Sequence, residues 1–341
     1  MNILVDYHHQ DLYYSFKMLF EDRLGHSLFK PIGREWYEKG YWNYVSNNDP
    51  AVIGQYLGEH EDWYIGHRIK ERKDKYLLME EKKHQYSQKC LTFSQFLDTD
   101  IDIMIASIPA HEETFQKLID DHKPNAKLIR QEGNYPNHPT VCKNIMSSVA
   151  KELLNYPEDS HIVFYHQEFD TKLFSKEPAK HYNRITSLMN CMASYPTELE
   201  LYHRYKSEMQ DFEFRMHGID GEDGNIDRIE NLANAIKDAA FIWQTKPTEQ
   251  DAGHNTSNAM ACGRPIITRR TDLSILFDKG VLEHGITAID LLQPDVLETI
   301  RECSQPEKWQ QMSAELYKRW HEYSDFNKEA EELRKFFEEL R

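Results

Sequence analysis

The chain has 341 residues, enough for two domains of about 150 residues each. Hydrophobic residues make up 40% and aromatic residues 12%, so packed cores are expected, and a mean hydropathy of −0.75 excludes a mainly membrane-embedded protein. The net charge of −16 excludes a protein that binds nucleic acid through a broad basic surface, although a local groove can still be positive.

The five cysteines show no C-x-x-C spacing, so neither a zinc site nor a disulfide framework is predicted. The longest apolar runs, such as residues 101–108, are far shorter than the roughly 20 residues that a membrane span requires. Met1 leads directly into an apolar strand rather than a signal sequence. We therefore expect a cytoplasmic protein without a membrane span.

Strands that alternate with helices are predicted in the first half of the chain. A short apolar run at 2–6, a helical segment and a second apolar run at 26–32 form a β-α-β opening. The pattern is lost between 33 and 95 and returns with a strand at 101–108, a helix to about 122 and a strand at 127–131.

The second half repeats this alternation, which favours parallel sheets with right-handed crossovers. Its apolar runs predict strands at 161–165, 212–217, 241–244, 265–268 and 286–289. Helices are predicted near 188–191, at 227–237, from about 255 to 261, and in the charged region from 306 onward. A turn-like run at 133–139 places the domain boundary nearby, so we predict an N-terminal domain at 1–140, a C-terminal domain at 141–320 and a terminal helix at 321–341.

The segment 248–268 carries the clearest indication of function. Gly253 precedes a helix that opens with Asn255, Thr256 and Ser257, and a Gly-x-Pro turn and a buried strand follow. Such a helix start offers backbone N–H groups, side-chain donors and a favourable dipole, which together can bind a phosphate group. An ordinary capped helix uses the same residue types, so physical chemistry alone leaves both interpretations open.

The runs Gly253-His254-Asn255-Thr256 and Asn258-Ala259-Met260-Ala261-Cys262-Gly263-Arg264-Pro265 resemble the donor-site signature of GT-B glycosyltransferases. The resemblance implies an α/β fold of two Rossmann-like β/α/β domains that face a cleft, with a C-terminal helix that crosses back to the first domain. It also implies a nucleotide-sugar donor, a UDP-sugar such as UDP-glucose as the first expectation. The residues that it assigns to donor binding are Gly253, His254, Asn255, Thr256, Ser257 and Asn258.

Two positions depart from the GT-B pattern. Many of these enzymes have a glutamate for donor ribose hydroxyls where this chain has Asn258, and retaining families have a second glutamate where it has Gln250. An amide can hydrogen-bond a hydroxyl group but cannot provide a charge-assisted bond. Retention or inversion of the sugar configuration therefore stays open.

The runs 4–9, 29–33 and 35–42 also resemble uncharacterised glycosyltransferases encoded by bacteriophages. This resemblance implies a 5-hydroxymethylpyrimidine in phage DNA, 5-hydroxymethylcytosine above all, as the leading acceptor, and the host cytoplasm as the compartment. Basic residues can contact DNA phosphates while aromatic residues stack an extruded base. The candidate acceptor contacts are Tyr7, Arg68, Lys70 and Arg72, although a solvated basic helix is the alternative interpretation of the last three.

Glycosyl transfer with inversion needs a base that deprotonates the acceptor hydroxyl. The candidates follow the first strand, at the edge where parallel sheets bind ligands: Asp6, His8 and His9. His8 is preferred because a neutral imidazole accepts a proton near neutral pH, and His111 is the alternative.

The leaving diphosphate needs a positive partner. Arg215 leads because it lies at a predicted strand end, and the other candidate cations are Arg184, Lys246, Arg264 and Arg269. No Asp-x-Asp motif with glycine-rich surroundings occurs, so we expect no metal and no cofactor besides the nucleotide sugar as co-substrate.

Other functions stay open at this point. A nucleotide-sugar epimerase would use the same donor pocket, and a glycosyltransferase could act on a carbohydrate or small-molecule acceptor instead of DNA. The amides at Gln250 and Asn258 also fit a non-catalytic nucleotide-sugar binding protein. A dehydrogenase ranks last because no G-x-G-x-x-G follows the first strand.

Overall fold

The computed structural model describes residues 1–6, 12, 15–31, 36, 39, 41, 89–107, 109–133, 140, 142–190, 192–218, 220–226, 228–246 and 252–340. Within them the chain divides into two compact units: Met1–Glu168 with Phe326–Arg341, and Phe169–Asp325. No helix in these ranges is long and apolar enough to cross a membrane.

The first unit is built on a seven-stranded parallel sheet. Its strands are β1 (Asn2–Val5), β2 (Ser27–Pro31), β3 (Lys89–Leu91), β4 (Ile103–Ala106), β5 (Lys127–Glu132), β6 (Asn144–Ser147) and β7 (His161–Phe164). Its helices are α1 (Lys17–Arg23, wound as a π-helix), α2 (Phe93–Asp98), α3 (Pro109–His122) and, from the end of the chain, α10 (Phe326–Glu339).

The strand order of this sheet is β3-β2-β1-β4-β5-β6-β7. From β1 the chain adds strands on one side as far as β3, and then returns to add β4 to β7 on the other side of β1. The order therefore reverses between β1 and β4, and the carboxyl ends of such a neighbouring pair border the crevice where open α/β sheets bind ligands.

The C-terminal helix α10 is part of the first unit's core. Ala330, Leu333, Phe336 and Phe337 are buried with residues of β1, β4 and α1 in one apolar cluster. Glu329 adds a polar attachment, since its carboxylate accepts hydrogen bonds from His166 through the backbone N at 2.7 Å and through Nδ1 at 2.6 Å. The prediction that the terminal helix returns to the first domain is confirmed.

The second unit is built on a five-stranded parallel sheet. Its strands are β8 (His181–Ser187), β9 (Glu213–Met216), β10 (Ala239–Trp243), β11 (Ile266–Thr268) and β12 (Ala288–Asp290). Its helices are α4 (Pro196–Glu208), α5 (Ile229–Asp238), α6 (His254–Ala261), α7 (Ser274–Asp278), α8 (Val296–Cys303) and α9 (Pro306–Tyr323). The strand order β12-β11-β10-β8-β9 reverses between β8 and β10, so this sheet has its own switch point.

The structure corrects the predicted boundaries. We expected the second domain to start at 141 with its first strand at 161–165, but β6 and β7 extend the first sheet and the division falls after Glu168. The second unit ends at Asp325 rather than 320. The first strand of the second sheet is β8, which the apolar pattern did not reveal, and the helix expected near 188–191 is α4, which begins at Pro196.

The Gly263-Arg264 part of the donor signature has a structural role. Gly263 follows Cys262, the C-cap of α6, with a φ of +66°, and a Cβ there would lie 2.7 Å from Ser313 Oγ, so only glycine fits without a shift. Arg264 is fully buried and donates to the carbonyls of Ile236, Glu177, Cys262 and Lys237. Burial lowers the pKa of Arg264 to about 10. Its donors are therefore committed to the backbone rather than to a phosphate.

We expect Arg264→Ala to lower the free energy of unfolding of the second unit by about 3 kcal/mol or more, because several carbonyls lose a charged donor and a cavity opens. Urea unfolding followed by near-ultraviolet circular dichroism measures the change. Arg301→Ala is the control, because Arg301 pairs with Asp211 at the surface, where water screens the charges, so its substitution should change the free energy of unfolding far less. Equal, small effects of both substitutions would contradict the structural role.

Candidate functional site

The predicted donor segment lies at the switch point of the second sheet. Nδ2 of Asn255, in the first turn of α6, donates to the carbonyl of Leu188 at 3.0 Å, directly after the end of β8. Thr245, just after β10, approaches the same chain segment, with its backbone N 3.4 Å from Met189 Sδ. The first turn of α6 is therefore fixed beside the ends of the two strands between which the order reverses.

The amino end of α6 has the features of an anion-binding helix start. Gly253 is the N-cap and contributes no side-chain cap, and the first hydrogen bond of the helix runs from Ser257 N to Gly253 O at 2.9 Å. In any helix the N–H groups of the first turn have no partner within the helix, and the helix dipole makes that end partly positive. A phosphate group bound here would accept hydrogen bonds from these N–H groups, and its negative charge would be attracted to the partly positive helix end.

Asn258 is the most informative residue of this segment. It is fully buried, and neither its Oδ1 nor its Nδ2 has a hydrogen-bond partner among the described residues. Burying an amide without a partner costs about 1–3 kcal/mol, so such groups are rare unless a ligand or water uses them. Helical side chains point back toward the amino end, which directs Asn258 over the first turn of α6.

The structure places the predicted cation Arg215 on β9, half exposed. Arg215 pairs with Asp223 Oδ1 at 2.7 Å and with Glu213 Oε1 at 2.6 Å, and its hydrogen bonds with Asp223 and Glu213 raise its pKa. Two carboxylates therefore already compensate its charge. A role of Arg215 in donor binding stays a prediction.

Arg269 directly follows β11, at the carboxyl edge of the second sheet. It bonds Glu198 at 2.9 Å, Asp272 at 2.8 Å and the carbonyl of Thr245 at 3.2 Å. Burial raises the pKa of the Asp272 carboxyl although its bond with Arg269 opposes the shift. This cluster holds one cation and two carboxylates, so it joins α4 to the strand ends without offering a net positive charge.

At the switch point of the first sheet the structure brings together Asp6, Ser107 and His111. The buried Asp6 carboxylate follows β1 and accepts hydrogen bonds from the backbone N and the hydroxyl of Ser107, which follows β4. His111 Nδ1, on the first turn of α3, lies 3.0 Å from Asp6 Oδ2. Asp6 therefore holds a buried imidazole at the edge where ligands of such sheets bind.

Seven residues of the sequence predictions lie outside the described part of the chain: Tyr7, His8, His9, Arg68, Lys70, Arg72 and Gln250. Their roles stay predictions. No local sequence pattern marks Ser107, because only the pairing of β1 with β4 brings it to Asp6.

The fold is similar to solved glycosyltransferase structures. Anabaena Alr3699/HepE in complex with UDP has 9% sequence identity and a TM-score of 0.57, with 99% of each chain covered. A glycosyltransferase from Rickettsia africae ESF-5 has 12% identity and a TM-score of 0.59, with 99% of this chain and 98% of that chain covered. An alpha-glucosyltransferase in complex with UDP and a 13-mer DNA with a central A:G mismatch has 11% identity and a TM-score of 0.56, with 94% and 95% covered.

No family model matches the sequence, and no curated protein matches it. At identities of 9 to 12%, the structural similarity establishes the fold. The predicted α/β architecture with two Rossmann-like units, as in GT-B glycosyltransferases, is thereby confirmed.

We expect Asp6→Asn to weaken the junction of β1 and β4. The NH₂ group of asparagine would face hydrogen-bond donors of Ser107, which the carboxylate of Asp6 accepts bonds from. A loss of about 2 kcal/mol would accelerate hydrogen exchange of the Ser107 amide about 30-fold. Exchange mass spectrometry of a peptide spanning this amide measures it. Asp102→Asn is the control, since the bond of Asp102 to Asn2 N is exposed. Equal acceleration near residue 107 in both variants would show that Asp6 has no special role at this junction.

Proposed function

We propose that the chain is a glycosyltransferase that moves a sugar from a nucleotide-sugar donor, a UDP-sugar as the first choice, to an acceptor hydroxyl. The observation that carries the proposal is the buried amide of Asn258, without a partner among the described residues, behind the anion-binding start of α6. The UDP complexes among the similar structures support the choice of uridine.

The donor diphosphate binds the first turn of α6, where Gly253, His254, Asn255 and Thr256 present backbone N–H groups and Ser257 follows. Asn258 binds a ribose hydroxyl, to which an amide can both donate and accept. Because the Asn258 side chain is neutral, it does not repel the diphosphate as a carboxylate would. Arg215 is the proposed cationic contact.

In the reaction, the acceptor oxygen forms a bond to the anomeric carbon of the donor sugar while the bond from that carbon to the diphosphate oxygen breaks. The acceptor proton passes to a base, and the nucleoside diphosphate leaves. We assign His111 as the base, because Asp6 holds its Nδ1 and can stabilise the imidazolium that forms. Asp6 is then a positioning residue, and His8 and His9 are the alternative bases.

We propose that a 5-hydroxymethylpyrimidine in DNA is the leading acceptor, with Tyr7, Arg68, Lys70 and Arg72 as contacts. The similar fold of an alpha-glucosyltransferase bound to DNA supports this choice. A carbohydrate acceptor is the second candidate, supported by the similar fold of HepE in complex with UDP and glucose. The proposal includes no metal, so transfer in EDTA is expected to equal transfer in its absence.

We expect Asn258→Ala to lower UDP affinity about tenfold or more while the free energy of unfolding changes by less than about 1 kcal/mol, because the lost amide has no partner among the described residues. Isothermal titration calorimetry and urea unfolding measure the two quantities. Ser313→Ala is the matched control, since Ser313 Oγ is also buried without a described partner but lies on α9. A destabilised Asn258→Ala with unchanged UDP affinity would make Asn258 a structural residue.

Transfer itself is tested by mass spectrometry of nucleosides digested from 5-hydroxymethylcytosine and 5-hydroxymethyluracil DNA after incubation with a pool of nucleotide sugars. A hexose or pentose mass increment is expected with the wild type. His111→Gln should lose at least about 100-fold in transfer rate and keep its UDP affinity, since general-base catalysis contributes about that factor. UDP binding without an increment would direct the search to carbohydrate acceptors, and sugar conversion without any acceptor would indicate an epimerase.

A further inference from the structure

The chain passes between the two units twice, and one side chain of the first unit bonds both passages. The chain leaves the first unit after Glu168 and returns after Asp325, so these two crossings are the only covalent connections between the units. The second crossing is short, because only Ser324 and Asp325 separate the last residue of α9 from the first residue of α10. Arg23, the last residue of α1, bonds the first-unit end of each crossing.

The Arg23 guanidinium bonds the two crossings from different sides. Its Nε and Nη2, which share one edge, donate to Oε1 and Oε2 of Glu168 at 2.7 and 2.9 Å. Its Nη1, on the other side, donates to Oδ1 of Asn327 at 2.6 Å, and its central carbon lies 5.7 Å from the centre of the Phe326 ring. Because the guanidinium is planar and rigid, it holds the ends of the two crossings at a fixed spacing. We call Arg23, Glu168 and Asn327 the crossing clamp.

Burial makes the crossing clamp firmer than a surface ion pair. The Glu168 side chain is 4% exposed and that of Arg23 is 30% exposed, whereas both side chains of the Arg301–Asp211 pair are about half exposed. Burial raises the pKa of Glu168, and its bonds with Arg23 oppose this shift because they favour the carboxylate. Removing the partner of a buried charge is far more destabilising than separating an exposed pair. The ends of both crossings therefore stay attached to α1.

The clamp bears on the proposed function because the reacting groups belong to different units. The donor is assigned to the first turn of α6 in the second unit, and the proposed base His111 lies on α3 in the first. Transfer requires the acceptor oxygen and the anomeric carbon to meet at about 3–3.5 Å, and a misplacement of about 1 Å can lower the rate about 100-fold. Relative motion of two units is absorbed by a few residues of the segments that join them. Fixing the ends of both crossings therefore limits that motion.

We propose that Arg23 is a positioning residue for sugar transfer, which holds both crossings on the first unit so that donor and acceptor meet in one reproducible geometry. This inference rests on the proposed glycosyltransferase function and deepens it. Arg23 acts through the crossings and touches no substrate in this role. Its loss therefore lowers kcat and leaves the binding of each substrate unchanged, which distinguishes it from a residue of either binding site.

Two substitutions loosen the crossing clamp without leaving a buried charge unpaired. Arg23→Lys keeps a positive charge beside Glu168, but an ammonium group cannot bond Glu168 at both oxygens and Asn327 in the same fixed geometry. Asn327→Ala releases the second crossing alone, at an exposed position near the start of α10 where alanine favours the helix. With UDP-glucose and an oligonucleotide containing 5-hydroxymethylcytosine, we expect kcat to fall about tenfold in Arg23→Lys and about threefold in Asn327→Ala. The Kd of UDP and the KM of the oligonucleotide should stay within about twofold.

A distance measurement tests the clamp independently of activity. Spin labels on unnatural amino acids that replace the exposed Glu113 on α3 and Glu298 on α8 report the distance between the units by double electron–electron resonance. We expect a broader distance distribution in both variants than in the wild type. The matched control is Arg319→Lys, because Arg319 is 23% exposed and bonds two carboxylates and the carbonyl of Gly280 within the second unit. This control should keep the wild-type kcat and the wild-type distribution.

The outcomes separate this inference from the proposed function. A wild type that transfers sugar while both clamp variants keep its kcat, or keep its distance distribution, refutes the positioning role alone. An equal loss of kcat in Arg319→Lys also refutes it, because any loosened arginine would then have the same effect. A wild type that neither binds UDP nor transfers sugar refutes the proposed function and the inference together. If the wild type uses a hexoside instead of the oligonucleotide, the same comparison of kcat is made with the hexoside. Should Arg23→Lys fail to fold, Asn327→Ala decides.

Discussion

The reversal of strand order beside one central strand is the constraint on which both candidate sites depend. In a parallel sheet every strand ends at the same edge. Where the strand order reverses, the chain leaves the ends of two neighbouring strands toward opposite sides, which opens a crevice between them. This arrangement places Asp6 next to Ser107 in the first unit, and Leu188 next to the first turn of α6 in the second. The first site thereby joins residues far apart in sequence, whereas the second holds one consecutive segment, residues 253–258, beside the end of β8.

Two fully buried polar residues of this protein differ in their hydrogen bonding. Arg264 and Asn258 belong to the same short sequence motif and both are fully buried. The donors of Arg264 reach four carbonyls, so it connects the end of α6 to α5 and to the chain before β8. Asn258 has no described partner for either amide atom, and a buried polar group in that condition is destabilising unless a ligand uses it.

The return of α10 explains why the first unit is discontinuous in sequence. The second unit is one continuous segment, and the last helix completes the apolar core beside β1 and β7. Its attachment is partly polar, because Glu329 binds His166 twice and Arg23 bonds both Glu168 and Asn327. The apolar core of the first unit is therefore built from residues at both ends of the chain.

The sequence alone predicted α6, β10 and β11, because helix-start residues, glycine turns and continuous apolar runs are local signals. It missed β8, whose first half is polar and partly exposed, and it placed the domain boundary before β6 because the turn at 133–139 resembled a linker. Only the tertiary structure joined Asp6 to Ser107 and to His111. Those contacts depend on which strands pair and in which register, and pairing is decided by the packing of whole sheets rather than by any local pattern.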